Sequence, residues 1–366
     1  MKVRNIMKIT IFISALSGGG AERVTCNLAN HLSDFGHEVE ILTMGDTVAA
    51  EPLRDGIKYS PLLPNEERSN ALVNNAKRIL RLRRYMKKQN VDAYVVMLPV
   101  TTELMLRFSN LTKAPIIVSE RADPTVYSIE TQKSLQKLTP RASGFVFQTE
   151  DAKAWYEPYL KGVESVVIPN AINPAFIRPK YEGEREKVII GAGRLNEQKN
   201  FPLLISAFAR IAEKIPEYKL RIYGKGALLD SLQNFAEEKG VGDRVEFHGY
   251  VADMPERLEK ASMFVLSSDF EGMPNALMEA MASGLPCVST DCGGGGARFL
   301  IQNGENGILV PQNDEEALAS AIQKILSDEA FAAKIGENSR KLQETLAPEK
   351  IYGEWEKFIQ KITQEK

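Results

Sequence analysis

Short apolar runs alternate with amphipathic stretches along the whole chain. Ile9–Ser14 has the length and composition of a buried strand, and Ala21–Phe35 then sets Val24, Leu28, Leu32 and Phe35 at helical spacing. Gly36 stands where a left-handed cap would end that helix. Val39–Thr43, Tyr94–Leu98, Ile116–Ser119, Gly144–Gln148 and Ser165–Ile168 follow as β-rich runs between helical stretches. After Pro169-Asn170 the segment to Lys187 carries Pro174, Pro179 and a charged run, and it reads as a linker. The alternation then restarts through Val188–Gly191, Leu203–Ile215, Lys219–Tyr223, Leu228–Gly240, Val245–Gly249, Ala261–Leu266, Ala276–Ser283 and Pro286–Ser289. Strands alternating with helices imply parallel sheets with crossover connections. Two such series predict an α/β protein of two doubly wound, Rossmann-like domains, residues 1–170 and 171–347, facing each other across a ligand cleft. A final helix over 348–366 can pack back onto the first domain.

Length changes this picture little, because 366 residues exceed one ordinary core and fit two. An apolar fraction of 43% and a charged fraction of 26% are those of a globular chain, not of a disordered one. Lys2, Arg4 and Lys8 before the run Ile9–Leu16 resemble a secretion signal. That run is short, lacks a small-x-small cleavage site and leads into a glycine turn and helix, so a first strand is expected, with Met7-Lys8 a second candidate start. No stretch approaches the roughly 20 apolar residues needed to cross a bilayer. Cys26, Cys287 and Cys292 have no metal-ligand spacing, and their scarcity and odd number suit a reducing cytoplasm. Charge is divided unevenly. Residues 1–170 carry 22 Lys and Arg against 18 Asp and Glu, and the remainder carries 24 against 30, so an anionic partner is expected on the first half.

Three segments carry candidate chemistry. The turn Ser17-Gly18-Gly19-Gly20-Ala21-Glu22-Arg23 joins the first strand to the first helix, where glycines allow close backbone approach and helix N–H groups await an anion. A dinucleotide fingerprint would need a third glycine where Arg23 stands, and a plain tight turn explains the segment equally well. In the second half, Gly193-Arg194-Leu195-Asn196-Glu197-Gln198-Lys199-Asn200 follows a strand, and Arg194 and Lys199 suit a diphosphate there. Taken alone they read as two solvated cations. Ser267-Ser268-Asp269-Phe270-Glu271-Gly272-Met273-Pro274-Asn275 then leads from the strand Met263–Leu266 into a helix expected to begin near Pro274. Backbone N–H groups from Gly272 to Asn275 would favour phosphate. Glu271 beside such a site makes sense if it accepts hydrogen bonds from sugar hydroxyls.

In order along the chain, Gly19-Gly20-Ala21-Glu22-Arg23, Gly193-Arg194 with Lys199-Asn200, Tyr223-Gly224-Lys225-Gly226, Phe247-His248-Gly249-Tyr250, Glu271 with Glu279, and Asn306-Gly307 resemble the retaining glycosyltransferase family 4, which has the GT-B fold. The resemblance spans nearly the whole chain and is greatest to bacterial enzymes that build undecaprenyl-linked glycans. It implies transfer of a hexose or N-acetylhexosamine from a nucleotide diphosphate sugar, UDP-linked by expectation, to a lipid-linked or polysaccharide-precursor acceptor. By position it implies that Arg194 and Lys199 bind the donor diphosphate, Glu271 the transferred sugar and Glu279 the ribose. Gly20 would lie near the distal phosphate, His248–Val251 (with Gly249, Tyr250 and Val251) would contact the base through backbone atoms, Gly19 and Gly224 would be further substrate-binding positions, and Gly272, Met273, Pro274 and Asn275 would line the helix start. It further implies front-face displacement with no protein nucleophile. No cofactor or nucleic acid is expected. With no Asp-x-Asp pair at a strand end, leaving-group charge falls to cations and helix N-termini, so metal-independent catalysis is expected.

Two departures from the family stand out. Many members carry a His in the loop where this chain reads Ser119-Glu120-Arg121-Ala122-Asp123-Pro124. Arg121 cannot act as a base but could hold a phosphate or sugar oxygen, and is expected to stand in for it. The run Gly293–Gly296 replaces a loop that often contains Pro and Glu.

The basic stretch Lys77–Lys88 sets Ile79, Leu82 and Met86 on one stripe among cations. It suits either an anionic membrane surface, and hence a peripheral cytoplasmic enzyme, or a helix packed on the sheet. Two other functions share parts of this pattern. A nucleotide-sugar epimerase would need acid/base residues, and His31, His37 and His248 stand in no evident site loop. An inactive partner subunit is disfavoured by the retained Arg194, Lys199, Glu271 and Glu279.

Overall fold

A computed structural model describes residues 6–49, 51–88 and 90–364. Lys2 and Arg4 lie outside them. The chain forms two compact units: residues 1–171 together with 349–366, and residues 172–348.

The first unit is a seven-stranded sheet in the order β3-β2-β1-β4-β5-β6-β7, parallel throughout. Its strands are β1 (Lys8–Ile13), β2 (Glu38–Thr43), β3 (Lys58–Pro61), β4 (Ala93–Met97), β5 (Ile116–Ser119), β6 (Gly144–Phe147) and β7 (Glu164–Val167). The central strands are buried on both faces, which is why they read as unbroken apolar runs. Phe12, Tyr94, Val96, Val118, Phe145 and Phe147 turn to one face, where Leu82, Met86, Met105, Leu135 and Tyr156 of four helices cover them. The helix Pro348–Gln364 belongs to this unit and buries Ile351, Tyr352, Trp355, Phe358, Ile359 and Ile362. Gly144 makes its approach feasible, since a Cβ there would sit 3.1–3.2 Å from Phe358 and Ile362.

The second unit is a six-stranded parallel sheet, β10-β9-β8-β11-β12-β13. It comprises β8 (Val188–Ala192), β9 (Lys219–Tyr223), β10 (Val245–Gly249), β11 (Met263–Leu266), β12 (Cys287–Thr290) and β13 (Ile308–Val310). Ile189, Leu220, Ile222, Met263, Val265 and Val288 pack against Phe201, Leu204 and Phe208 of the helix Phe201–Ile211 and Leu318 and Ile322 of the helix Glu315–Ser327. The expected α/β class, with two doubly wound sheets, is therefore what the chain forms. In each sheet the strand order reverses once, between β1 and β4 and between β8 and β11. Loops leaving the carboxyl ends of those strands diverge to opposite sides and open a crevice where ligands bind in this architecture.

One detail differs from expectation, and one reading left open is narrowed. The helix after β11 spans Asn275–Ala282, with Pro274 as its cap at φ −75° and ψ 97°, so the extended ψ keeps Pro274 out of the first turn. The stripe Leu82 and Met86 faces the protein core, not an outer surface. It joins the core cluster of the first unit with Phe12, Leu42, Leu62 and Tyr94.

Candidate active site

At the switch point of the second sheet, the loop after β8 and the loop after β11 meet. Lys199 closes a single turn, Glu197–Lys199, and Asn200 follows in the left-handed region at φ 43°. Asn200 caps the next helix through Leu203 N–H and donates Nδ2 to Asp269 Oδ1 at 2.8 Å, tying the two loops together. Asp269 N–H donates to Gln198 O, and Ser267 Oγ to Lys199 O. Across this seam Lys199 Nζ lies 2.6 Å from Glu271 Oε1, which also accepts from Ser268 Oγ at 2.8 Å. Gln198 Nε2 donates to Phe270 O at 2.9 Å and approaches Glu271 Oε2 at 3.5 Å. Only 14% of the Lys199 side chain and 10% of the Glu271 side chain are exposed, so the pair is strengthened by a reduced dielectric.

Arg194 lies on the same loop, exposed and without an ion pair among the described residues. Glu279, half-buried in the helix Asn275–Ala282, has an interaction partner of its own. The glycine run supports the seam from below. Glu271 N–H donates to Gly293 O, Gly293 N–H to Asp269 O, and a Cβ on Gly296 would lie 1.9 Å from Gly272 O, so only glycine fits there. Cys292 sits beside the pair. Burial first, and then the Glu271 charge, push its thiol up to about 12, so it stays protonated and is a poor nucleophile.

The proposed base-side residues gather at the neighbouring strand ends. Leu195 N–H donates to Lys225 O and Gly224 N–H to Gly249 O, and a Cβ on Gly224 would sit 1.8 Å from Gly193 O. His248 stacks on Tyr223 at 5.1 Å with 20° between the rings, while Tyr250 is 75% exposed. Among the described residues no three His, Cys, Asp or Glu side chains cluster as metal ligands would.

In the first unit the Gly18–Gly20 turn follows β1 at the switch point. Gly18 has φ 81°, Gly19 caps the helix Gly20–Asp34, and Arg23 pairs with Glu51 at 3.2 Å. Arg121, after β5, is 7% exposed. Its Nε donates to Ser119 Oγ at 2.6 Å and its Nη1 to Asn170 Oδ1 at 3.2 Å, while its guanidinium lies 5.0 Å over the Trp355 ring. Burial pulls its pKa down to about 10. Glu120 is buried too, which raises its pKa, yet it accepts from Tyr127 Oη at 2.6 Å, Tyr156 Oη at 2.8 Å and the backbone N–H groups of Arg121 and Ala122. Sequence reasoning missed Trp355 and Tyr156. No spacing signals them, because they reach this loop only through the fold.

On the basic helix Ala71–Lys88 the cations divide. Lys77 donates to Glu67 O, Arg78 to Met44 O, and Arg81 to Leu62 O and Glu67. Arg83, Arg84, Lys87 and Lys88 are exposed, as are Leu72 at 83% and Leu80 at 52%. No helix among the described residues is long and apolar enough to cross a membrane.

Two parallel, doubly wound sheets, each with its loops parting at a switch point, match the GT-B fold, and solved structures share it. Sucrose-phosphate synthase from Thermosynechococcus elongatus superposes with a TM-score of 0.83 at 20% identity, covering 98% of this chain and 99% of that one. Anabaena HepE in complex with UDP gives 0.81 at 18% identity over 97% and 100%. Residues 18–176 match the model described as Glycosyltransferase Family 4, and residues 174–342 the model described as Glycosyl transferases group 1. Together the two models cover residues 18–342, so the chain carries the two glycosyltransferase domains of the GT-B fold, the first of the family 4 type. It is 27% identical over 361 residues, 98% of its length and 99% of the relative's, to a Campylobacter jejuni GalNAc-alpha-(1->4)-GalNAc-alpha-(1->3)-diNAcBac-PP-undecaprenol alpha-1,4-N-acetyl-D-galactosaminyltransferase. It is also 28% identical to an uncharacterized glycosyltransferase of Haemophilus influenzae, over 96% of this chain and 99% of that one.

Proposed function

We propose that the chain is a retaining, metal-independent glycosyltransferase that moves a hexose or N-acetylhexosamine from a UDP-sugar onto a lipid-linked glycan precursor. The observation that carries this reading is the Lys199–Glu271 pair at the second sheet's switch point, with the exposed Arg194 on the adjoining loop. Lys199 and Arg194 supply the charge to hold a diphosphate and stabilise it as it leaves. Glu271, oriented by Ser268 and Gln198, accepts from sugar hydroxyls. Glu279 and the chain from Gly272 to Asn275 hold the ribose and phosphates, and Gly224, Gly249, Tyr250 and Val251 flank the base. Gly19 and Gly20 are the first unit's anion-binding element. The C. jejuni relative's undecaprenol-linked acceptor motivates the acceptor class. The exposed Leu72, Leu80, Arg84, Lys87 and Lys88 supply a face for an anionic membrane.

The test follows transfer of labelled sugar from a panel of UDP-sugars to short-chain polyprenyl-diphosphate glycans in excess chelator, with product anomers read by NMR. Arg194→Ala and Lys199→Ala should lose activity about 100-fold or more while staying folded. Only interactions stronger in the transition state raise the chemical rate, so Glu271→Gln should depress kcat far more than donor affinity, and Glu279→Gln the reverse. Wild-type rates in both cation variants, an inverted anomer, or rescue of a chelated enzyme by magnesium would each overturn the corresponding part.

A further inference from the structure

The loop at the carboxyl end of β5 holds a charge arrangement that the proposed donor chemistry does not use. Arg121 and Glu120 are adjacent and buried, yet they do not pair with each other. Glu120 gathers two phenols and two backbone N–H groups of its own loop. Arg121 joins the ends of two strands, through Ser119 at the end of β5 and Ile168 O and Asn170 after β7, and Asn170 Oδ1 in turn accepts from Gln148 after β6 at 2.8 Å. The open face of the guanidinium is covered by the indole of Trp355, itself 0% exposed. Arg121 Nη2, Gln148 Oε1 and Trp355 Nε1 are buried without hydrogen-bond partners. A buried cation with a bare N–H is costly, and such an arrangement persists only where its surroundings fix it. With Nη2 shut off from solvent, the guanidinium cannot reach a ligand from where it stands.

We propose that Arg121 is a positioning residue and not a substrate contact, and that Trp355 holds it flat so that the Glu120–Asp123 loop keeps one geometry at the ligand-binding edge of the first sheet. Cation–π contact is strongest when desolvated, and here the ring shields one face of the guanidinium. The shape of an acceptor-side loop therefore depends on a side chain of the last helix. The inference rests on the glycosyltransferase reading for what the loop serves.

The experiment compares Trp355→Ala, Trp355→Phe, Arg121→Lys and the double variant Arg121→Lys/Trp355→Ala in the full chain. Kinetics with acceptor, UDP binding and amide hydrogen exchange of the 119–127 peptide are measured for each. Misplacing a binding loop by an ångström costs about 10- to 100-fold, so Trp355→Ala and Arg121→Lys should each lower kcat/KM for acceptor by about that factor. UDP affinity should hold within about twofold, the double variant should be no worse than the worse single, and exchange at Arg121 and Ala122 should quicken. Trp355→Phe, which keeps a ring face, should restore both readouts. If Trp355→Ala fails to fold, Arg121→Lys against Trp355→Phe carries the comparison. Loss of activity in Arg121→Lys with wild-type behaviour in Trp355→Ala would make Arg121 a substrate contact and overturn the clamp. So would quickened exchange with unaltered acceptor kinetics. A wild type that transfers no sugar would tell against the functional reading instead, and the clamp would stand or fall on the exchange data alone.

Discussion

Replacing either member of the Lys199–Glu271 pair leaves its partner charged, mostly buried and unmatched. Breaking such a pair costs more than never having had it. Lys199→Met should therefore destabilise the protein by about 1–3 kcal/mol in urea melts, at the low end because both side chains retain some exposure. Adding Glu271→Gln should recover part of that loss, and simple additivity of the two variants would show that the charges do not interact in solution. The cysteines allow a second measurement. All three are buried, so a thiol reagent at pH 8 should modify none in the native protein and all three in denaturant. Because folding raises the Cys292 pKa to about 12, its contribution is fully present below the unfolded value near ~8.5. It is lost as pH rises above that value, because the unfolded chain releases the proton first. Melts at pH 10 should thus show lower stability than at pH 8.

Among the elements, the helix Ala71–Lys88 shows what a pattern can and cannot reveal. Periodicity correctly grouped Leu82 and Met86 on one stripe, but a stripe does not say what covers it, and here the sheet does. The outward face is instead Leu72 and Leu80 with Arg83, Arg84, Lys87 and Lys88. Changing Arg84, Lys87 and Lys88 to Gln should weaken sedimentation with anionic vesicles, most visibly at low salt, since exposed charges are screened within ~10 Å at ordinary ionic strength. Stability should move by less than about 0.5 kcal/mol, and unchanged vesicle binding would leave the helix a plain sheet-packing element. The buried strands were legible because parallel strands covered on both faces are continuous apolar runs. Two of the four edge strands were not: β3 is Lys58-Tyr59-Ser60-Pro61 and β13 only Ile308–Val310, too polar or too short to register. The loops after β8 and β11 stood out in the sequence by their charges and glycines. That Lys199 would bond to Glu271, 72 residues on, was invisible to any local pattern because the strand order sets it.

At the scale of the molecule, the chain leaves the first unit after residue 171, completes the second, and re-enters the first at 349. The second unit is continuous and has its own core, so residues 172–348 expressed alone should melt cooperatively. A non-cooperative melt would show that the two units share their stability. Ending the chain at 348 should instead harm the first unit, by stripping Tyr352, Trp355, Phe358 and Ile359 from its sheet.

That interrupted path also orders events at the ribosome. Domains fold as they emerge, at about 5–20 residues per second. The first sheet must therefore wait roughly 10–35 s, while the second unit is made, for the helix that covers Gly144 and faces Arg121. During that interval an apolar face and an uncovered guanidinium stand open on an otherwise finished sheet. A nascent chain stalled near residue 348 should be bound by chaperones through its first unit, and the last helix should release it.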